Sequence, residues 1–257
     1  MKKTYSDQKG VSSMSTMELR QEGPVFVLTL TNGGNANVIS GEVLREYQEI
    51  LDHLEASPNN ASLILTSDDR KNWCNGIDLQ WLLTKPSEYF PEFADLVDRF
   101  LLRFALLNMP TVGCLNGHAF GAGALLATTM DFRIMREDRG FFCFPEVDIG
   151  IPFTPLMYDL IRLLPDAHAL NELVLMGKRV GGAEALVMKI VSAVYPQEIL
   201  FEKTMELAAF LAKKDRKTYT HLKLGLRKHL VKLKETMKSE HLKSSSNQTV
   251  TLSDSIF

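Results

Sequence analysis

The 257-residue sequence is short of several things, and each shortage removes a class of function. It has three cysteines, Cys74, Cys114 and Cys143, widely spaced, odd in number and without a CxxC pair. That usage fits free thiols in a reducing compartment better than a disulfide framework. No apolar run reaches the roughly 18 residues needed to cross a bilayer. The first sixteen residues are polar and contain no apolar segment, so they do not read as a secretory signal. The last three residues, Ser-Ile-Phe, are not the Ser-Lys-Leu peroxisomal address, and the cytoplasm is the expected compartment. Excess charge of one sign is missing too: 29 Lys and Arg stand against 31 Asp and Glu, which gives no global case for nucleic-acid or membrane binding. A P-loop, a GxSxG elbow and an HExxH helix are all absent, and with them the usual signals for nucleotide hydrolysis, serine hydrolysis and zinc proteolysis.

What is present is an ordinary globular composition, 45% hydrophobic and 23% charged, with enough chain for a sizeable core. Residues 1–16, rich in Ser, Lys and Met, read as a disordered extension. Val25 to Leu30 reads as a buried strand closed by Thr31-Asn32-Gly33-Gly34. Gly41 to Leu54 carries apolar residues at helical spacing, and Ala61 to Thr66 is a second apolar strand. Strand, helix, strand favours a right-handed crossover and a mainly parallel sheet. A short helix is expected near Asp78, and Phe93 to Leu107 reads as a core helix after Pro86 and Pro91. Beyond Pro152 and Pro155 come helical segments near Leu156–Leu164, Ala167–Met176 and Ala183–Lys189, with a possible strand at Val191–Tyr195. Helices resume at Ile199–Ala212 and Lys217–Lys238, and the tail from Lys243 reads as flexible. The expected division is an α/β core over 17–195, a helical region over 196–242 and a tail over 243–257, with no internal repeat visible.

The central stretch runs from Asn116 to Ile151. An apolar run, Pro110 to Leu115, leads into Gly117, Gly121 and Gly123; a small-residue segment, Ala122 to Met130, and a strand-like run, Asp131 to Arg136, follow. A helix that opens after a glycine-rich turn directs free N–H groups and the positive end of its dipole at one point. Glycine also lets backbone approach a ligand closely, although the same glycines could serve tight packing alone. A dinucleotide fingerprint starting at Gly121 fails, because Leu126 occupies the place of its third glycine and Glu137 arrives too early. Downstream, Glu146 lies in the apolar segment Phe144-Pro145-Glu146-Val147. An anion-stabilising backbone site followed by a candidate base is a pattern for chemistry beside a carbonyl.

The order NWCNGIDL, NGHAFGAGALLATTMDFRIM and FPEVDIGI resembles the crotonase (enoyl-CoA hydratase/isomerase) superfamily over roughly residues 18 to 235. The resemblance implies an α/β, crotonase-like ββα superhelix with a helical C-terminal region. It implies two backbone N–H groups that hold the thioester oxygen of an acyl-CoA, on Ile77 within Asn75-Gly76-Ile77-Asp78 and on Ala122 between Gly121 and Gly123. Of the two glutamates that the family's hydratases use, the first position matches Leu125 and the second matches Glu146. One base without its partner, together with the stretch MREDRGFFCFPEVDI, is similar to the Δ3,Δ2-enoyl-CoA isomerase branch. The expectation is therefore Glu146, Ile77 and Ala122 as catalytic groups, with Asn75, Gly76, Gly121, Gly123 and Leu125 forming the substrate site. No metal is expected and no cofactor beyond the CoA carried by the substrate. The resemblance further implies a homotrimer or a dimer of trimers, and a mitochondrial or peroxisomal home besides the cytoplasm. Alternatives are another CoA-thioester reaction, such as hydrolysis or decarboxylation, and a non-catalytic acyl-CoA-binding protein.

Four other features compete for roles. Asp148, two residues from Glu146, is a rival base; Asp131 reads as a partner for backbone groups at a strand start; His118 reads as structural. Between Lys213 and Lys238 ten Lys and Arg residues face two acidic ones. That helix reads as a solvated face, or as a contact for CoA phosphates by the resemblance; no aromatic interleaving supports nucleic acid.

Overall fold

The computed structural model describes residues 12–13 and 16–237, so the expectations for residues 1–11, Lys238 and the tail from Lys243 fall outside the described residues. The chain starts antiparallel, with β1 (Ser12–Ser13), β2 (Met17–Glu22) and β3 (Val25–Leu30). Helix α1 (Gly41–Ala56), N-capped by Ser40, returns the chain so that β4 (Ser62–Ser67) lies parallel to β3. A strand–strand–helix unit then recurs. β4 is followed by β5 (Asn72–Cys74), α2 (Leu79–Leu82) and α3 (Tyr89–Ala105). Next come β6 (Thr111–Leu115), β7 (His118–Phe120) and α4 (Ala122–Thr129). The third unit is β8 (Phe132–Arg136), β9 (Phe142–Cys143) and the helices α5 (Glu146–Ile149), α6 (Pro155–Ile161), α7 (Ala167–Leu175) and α8 (Gly182–Val187). β10 (Ala193–Tyr195), α9 (Gln197–Leu211) and α10 (Arg216–Leu226) complete the elements, with residues 228–237 also helical.

Within each unit the first strand joins a seven-stranded sheet, ordered β1-β2-β3-β4-β6-β8-β10, and the second joins a small parallel sheet, β5-β7-β9. This is the expected α/β architecture of ββα units. Its repetition is absent from the sequence because the small-sheet strands are only two or three residues long, too short for an alternating pattern.

The large sheet is buried on both faces, which is why its strands read as continuous apolar runs. Alternate side chains diverge, as strand geometry requires. Leu63 and Leu65 of β4 join the core with α1 and α3, whereas Ile64 joins Val27, Val112 and Ile134 against Leu200, Ala208 and Leu211 of α9. The helical C-terminal region thus covers the second face of the sheet.

Two boundaries depart from expectation. Helix α3 begins at Tyr89 and takes Pro91 into its first turn, where a missing N–H removes no helical bond. The single helix expected over Lys217–Lys238 is interrupted at Arg227, whose guanidinium turns inward to the carbonyls of Ala105 and Thr129 and pairs with Asp131.

That inward turn belongs to a buried ionic cluster. Asp131 Oδ2 accepts from Thr111 N at 3.0 Å, Tyr219 OH at 3.1 Å and Lys223 Nζ at 2.9 Å, while Oδ1 meets Arg227 Nη2 at 2.9 Å. The expected backbone role of Asp131 is present, and three partners from the C-terminal region are added to it. Arg216 is also buried, donating to the carbonyls of Leu54, Ser57 and Asn59 where α1 ends, and to Asn108. Cations suit a helix C-terminus, where carbonyls are left over. Three of the ten terminal cations therefore bind the chain's own interior, which neither sequence reading of that helix foresaw.

Removing Asp131 leaves Lys223 and Arg227 buried without their shared counter-charge. Asp131→Ala is expected to lower the unfolding free energy by about 3–5 kcal/mol in urea denaturation, while the exposed Lys232→Ala changes it by less than about 0.5 kcal/mol. Equal, small effects from both substitutions would show that the cluster does not anchor α10.

Candidate active site

Two chain segments meet at the centre of the molecule. The first follows β5. Ile39 N donates to Gly76 O at 2.7 Å, and Asp78 N donates to Ile39 O at 3.0 Å, making a parallel bridge between Ile39 and Ile77. In such a bridge the groups of Ile77 itself point the other way, so its N–H faces away from Ile39. The second segment follows β7, where Ala122 is the first residue of α4 and its N–H has no acceptor four residues back within the helix. Among the described residues no hydrogen-bond acceptor is recorded for either N–H.

The segments touch through backbone. A β-carbon on Gly76, whose φ is 81°, would lie 2.7 Å from Phe120 O and 3.0 Å from Ala122 N. One on Gly123 would lie 2.1 Å from Cys74 O. Neither approach tolerates a side chain. Packing alone therefore demands glycine at 123, while Gly121 opens toward Glu146: a β-carbon there would stop 3.4 Å from Oε1. The packing reading of the glycine cluster thus holds at Gly123.

Ile77 and Ala122 line one wall of a cavity of about 420 Å³. Its other walls are apolar: Leu79, Leu82 and Leu83 around α2, Phe90, Phe93 and Val97 on α3, Leu125 on α4, and Phe153 and Met157. Asp78 caps α2 by accepting from Trp81 N at 2.9 Å, which holds the leucines of α2 beside Ile77. Among the described residues only Glu146 and Thr154 bring polar side chains to the lining.

Glu146 opens α5, a single helical turn where the sequence suggested a loop. Its Oε2 is buried without a hydrogen-bond partner, and burial pushes its carboxyl up to about 7. A carboxylate with an oxygen left unpaired in an apolar cavity is costly for folding and apt for taking a proton near neutral pH.

The remaining expected residues separate clearly. Leu125 is 1% exposed and lines the cavity. Asn75 donates its backbone N–H to Ala36 O at 3.1 Å and leaves Oδ1 buried and unpaired, outside the cavity lining. Asp148 is exposed, lies against Gly177 and does not line the cavity, so Glu146 is the carboxylate the fold brings to it. His118 accepts from Phe141 N through Nδ1 at 3.2 Å and stacks on that ring, a structural placement. Burial, with Lys71, Arg139 and Arg179 nearby, holds its imidazole below the usual value. Among the described residues no cluster of His, Cys, Asp and Glu could hold a metal ion.

The sequence reading missed the apolar enclosure and Thr154. The signal for the first was present: Leu79, Leu82 and Leu83 follow the cap residue Asp78 at helical spacing.

Known proteins are similar to this chain in sequence and in fold. The family model described as enoyl-CoA hydratase/isomerase matches residues 20–254. A protein of Arabidopsis thaliana named enoyl-CoA delta isomerase 2, peroxisomal, is 34% identical over 200 residues, covering 72% of this chain and 79% of that protein. Enoyl-CoA delta isomerase 3 of the same plant is 32% identical over 207 residues, covering 78% and 86%. The crystal structure of an enoyl-CoA hydratase/isomerase family protein from Pseudomonas syringae superposes with a TM-score of 0.78 at 25% identity, covering 84% of this chain and 92% of that one.

The environment of Glu146 has a consequence for stability. Its folded value of about 7 exceeds the ordinary 4.5, so the folded state binds this proton more tightly than the unfolded chain, and the stability gained in acid is lost as pH rises through that interval. Glu146→Gln removes the titration. Relative to the parent, the variant is expected to gain up to about 3 kcal/mol between pH 4 and pH 8, read by urea denaturation at both values. An unchanged difference across that range would mean that Glu146 is solvated in the folded protein.

Proposed function

The chain belongs to the enoyl-CoA hydratase/isomerase family, and within it we propose that this protein is a Δ3,Δ2-enoyl-CoA isomerase that moves a double bond by proton transfer through a single base. The observation that carries the reading is the cavity's composition: one carboxylate, Glu146, with a buried oxygen left unpaired, and Leu125 at the position that the sequence resemblance matches to the hydratases' other glutamate. Hydration needs a water held and deprotonated beside the β-carbon, and leucine can do neither. Transposing a double bond needs a base and no water. The names of the two Arabidopsis relatives, both delta isomerases, support the same choice.

The thioester oxygen of a 3-enoyl-CoA sits between the N–H groups of Ile77 and Ala122, which places C2 near Glu146. The carboxylate takes a C2 proton, and the electron pair of that C–H bond spreads over C4 and the thioester oxygen as a dienolate. The two N–H groups and the start of α4 bear the developing charge; one such donor is typically worth about 3 kcal/mol. Protonated Glu146 returns the proton to C4, leaving the double bond at C2–C3 and the base ready for the next turnover. The apolar walls keep water from the intermediate and receive the acyl chain.

We place the protein in a homotrimer or a dimer of trimers: Val147 and Ile149 of α5 and Leu175 and Met176 at the end of α7 are large apolar side chains left exposed near the site. The compartment we assign is reducing, since Cys74, Cys114 and Cys143 are all buried and free. The cytoplasm is the first choice, with the peroxisome, named for one relative, as the alternative.

Conversion of a 3-enoyl-CoA to its 2-enoyl isomer, followed spectroscopically, tests the reading. Glu146→Gln is expected to lower turnover by roughly 100-fold or more with little change in CoA-ester binding. With the parent protein, hydration of a 2-enoyl-CoA should run orders of magnitude below isomerisation; efficient hydration would sink the one-base mechanism. Light scattering that returned a monomer mass would end the trimer assignment.

A further inference from the structure

Asp98 is a buried carboxylate that the proton transfer does not use. It is 8% exposed, on the inner side of α3 among Val97, Phe100, Leu101 and Leu102. Burial pushes its carboxyl up to about 6, with Asp95 one helical turn away adding to the rise and the hydrogen bond from Thr154 opposing it. An apolar residue would avoid that desolvation, so the carboxylate calls for a reason.

Its partner supplies one. Thr154 Oγ1 donates to Asp98 Oδ1 at 2.9 Å and accepts from Met157 N at 3.3 Å as the N-cap of α6. Thr154 ends the segment that leaves α5 through Gly150, whose φ is 70°. Residues 151–154 have no regular structure of their own, yet Ile151, Pro152, Phe153 and Thr154 all line the cavity. The facing wall includes Phe93, Ala94 and Val97 of α3. The Asp98–Thr154 bond is thus a direct polar tie between a wall built by a rigid helix and a wall built by irregular chain.

We propose that Asp98 is a positioning residue: by holding Thr154 it sets residues 151–153 against α3, and so fixes the part of the cavity that grips a long acyl chain. The inference rests on the acyl-CoA reading of the cavity. The longer the acyl chain, the more of its length lies against the two tied walls. Loss of the tie therefore costs a long chain more affinity than a short one.

The test compares 3-hexenoyl-CoA with 3-dodecenoyl-CoA on four variants. Asp98→Leu and Thr154→Val break the tie; Asp98→Asn and Thr154→Ser keep an acceptor and a donor. The tie-breaking variants are expected to raise KM for the dodecenoyl ester roughly tenfold, the scale of one lost hydrogen bond with its wall, and the hexenoyl KM by several-fold less, with the larger change in KM than in kcat. The conservative variants should stay close to the parent. A loss of equal size for both esters, as a general weakening of the fold would give, overturns the proposal, and so does unchanged KM in all four. Should Asp98→Leu fail to fold, Thr154→Val carries the same comparison. If the parent turns over neither ester, the isomerase reading fails by itself. The chain-length comparison is then read calorimetrically with saturated hexanoyl-CoA and dodecanoyl-CoA, where an unselective loss of affinity still overturns the role of Asp98.

Discussion

The arrangement depends on a backbone-to-backbone contact. The chain after β5 and the chain after β7 pack so closely that a β-carbon on Gly123 would fall 2.1 Å from Cys74 O, and one on Gly76 would fall 2.7 Å from Phe120 O. Only at that separation can the free N–H groups of Ile77 and Ala122 border the same cavity. The small sheet exists to make this contact: β5 and β7 are three-residue strands, and their pairing sets the register of the two segments that leave them. The Ile39 bridge completes the geometry by occupying the other edge of the turn, which leaves the N–H of Ile77 turned away from it.

Around that contact the structure balances an unfavourable site against favourable packing. Glu146 has a buried oxygen with no partner and a carboxyl pushed up to about 7. Its cost is of the order expected for a desolvated polar group, a few kcal/mol. The offset lies elsewhere, in a sheet buried on both faces and in the C-terminal helices that cover one of them. Leu200 and Leu211 of α9 are 1% and 5% exposed, and each contributes roughly 1.5–3 kcal/mol by burial. The cluster at Asp131 holds α10 to the start of β8, directly after α4. The C-terminal region therefore supports the helix whose first residue, Ala122, lines the cavity.

The cavity divides its labour by chemistry. Its polar equipment is small: two backbone donors, one carboxylate and one hydroxyl. Almost everything else that lines it is hydrocarbon. A site of this kind strengthens each electrostatic interaction by excluding water, and it recognises an acyl group by shape. The hydroxyl of Thr154 is engaged by Asp98 at 2.9 Å.

The amino-acid order by itself determined a good deal. Apolar runs bounded by turn residues marked β3, β4 and β6 within about one residue, because strands buried on both faces have no polar alternation to blur them. Helical spacing marked α1, α3 and α9, and the block order around Gly76, Gly121 and Glu146 marked the family. Only the tertiary structure could decide the rest. Glu146 and Asp148 are equivalent in composition and differ in where one turn of helix points them. Nothing in the local sequence marks Asp98 for its partner, a residue 56 positions away that donates to it. The cations of the terminal helix looked alike in sequence, and burial alone separated Arg216, Lys223 and Arg227 from the others. In each case the deciding quantity is access to water and to a distant partner. Local sequence does not carry that information, because chain folding sets it over separations far longer than any helix or strand.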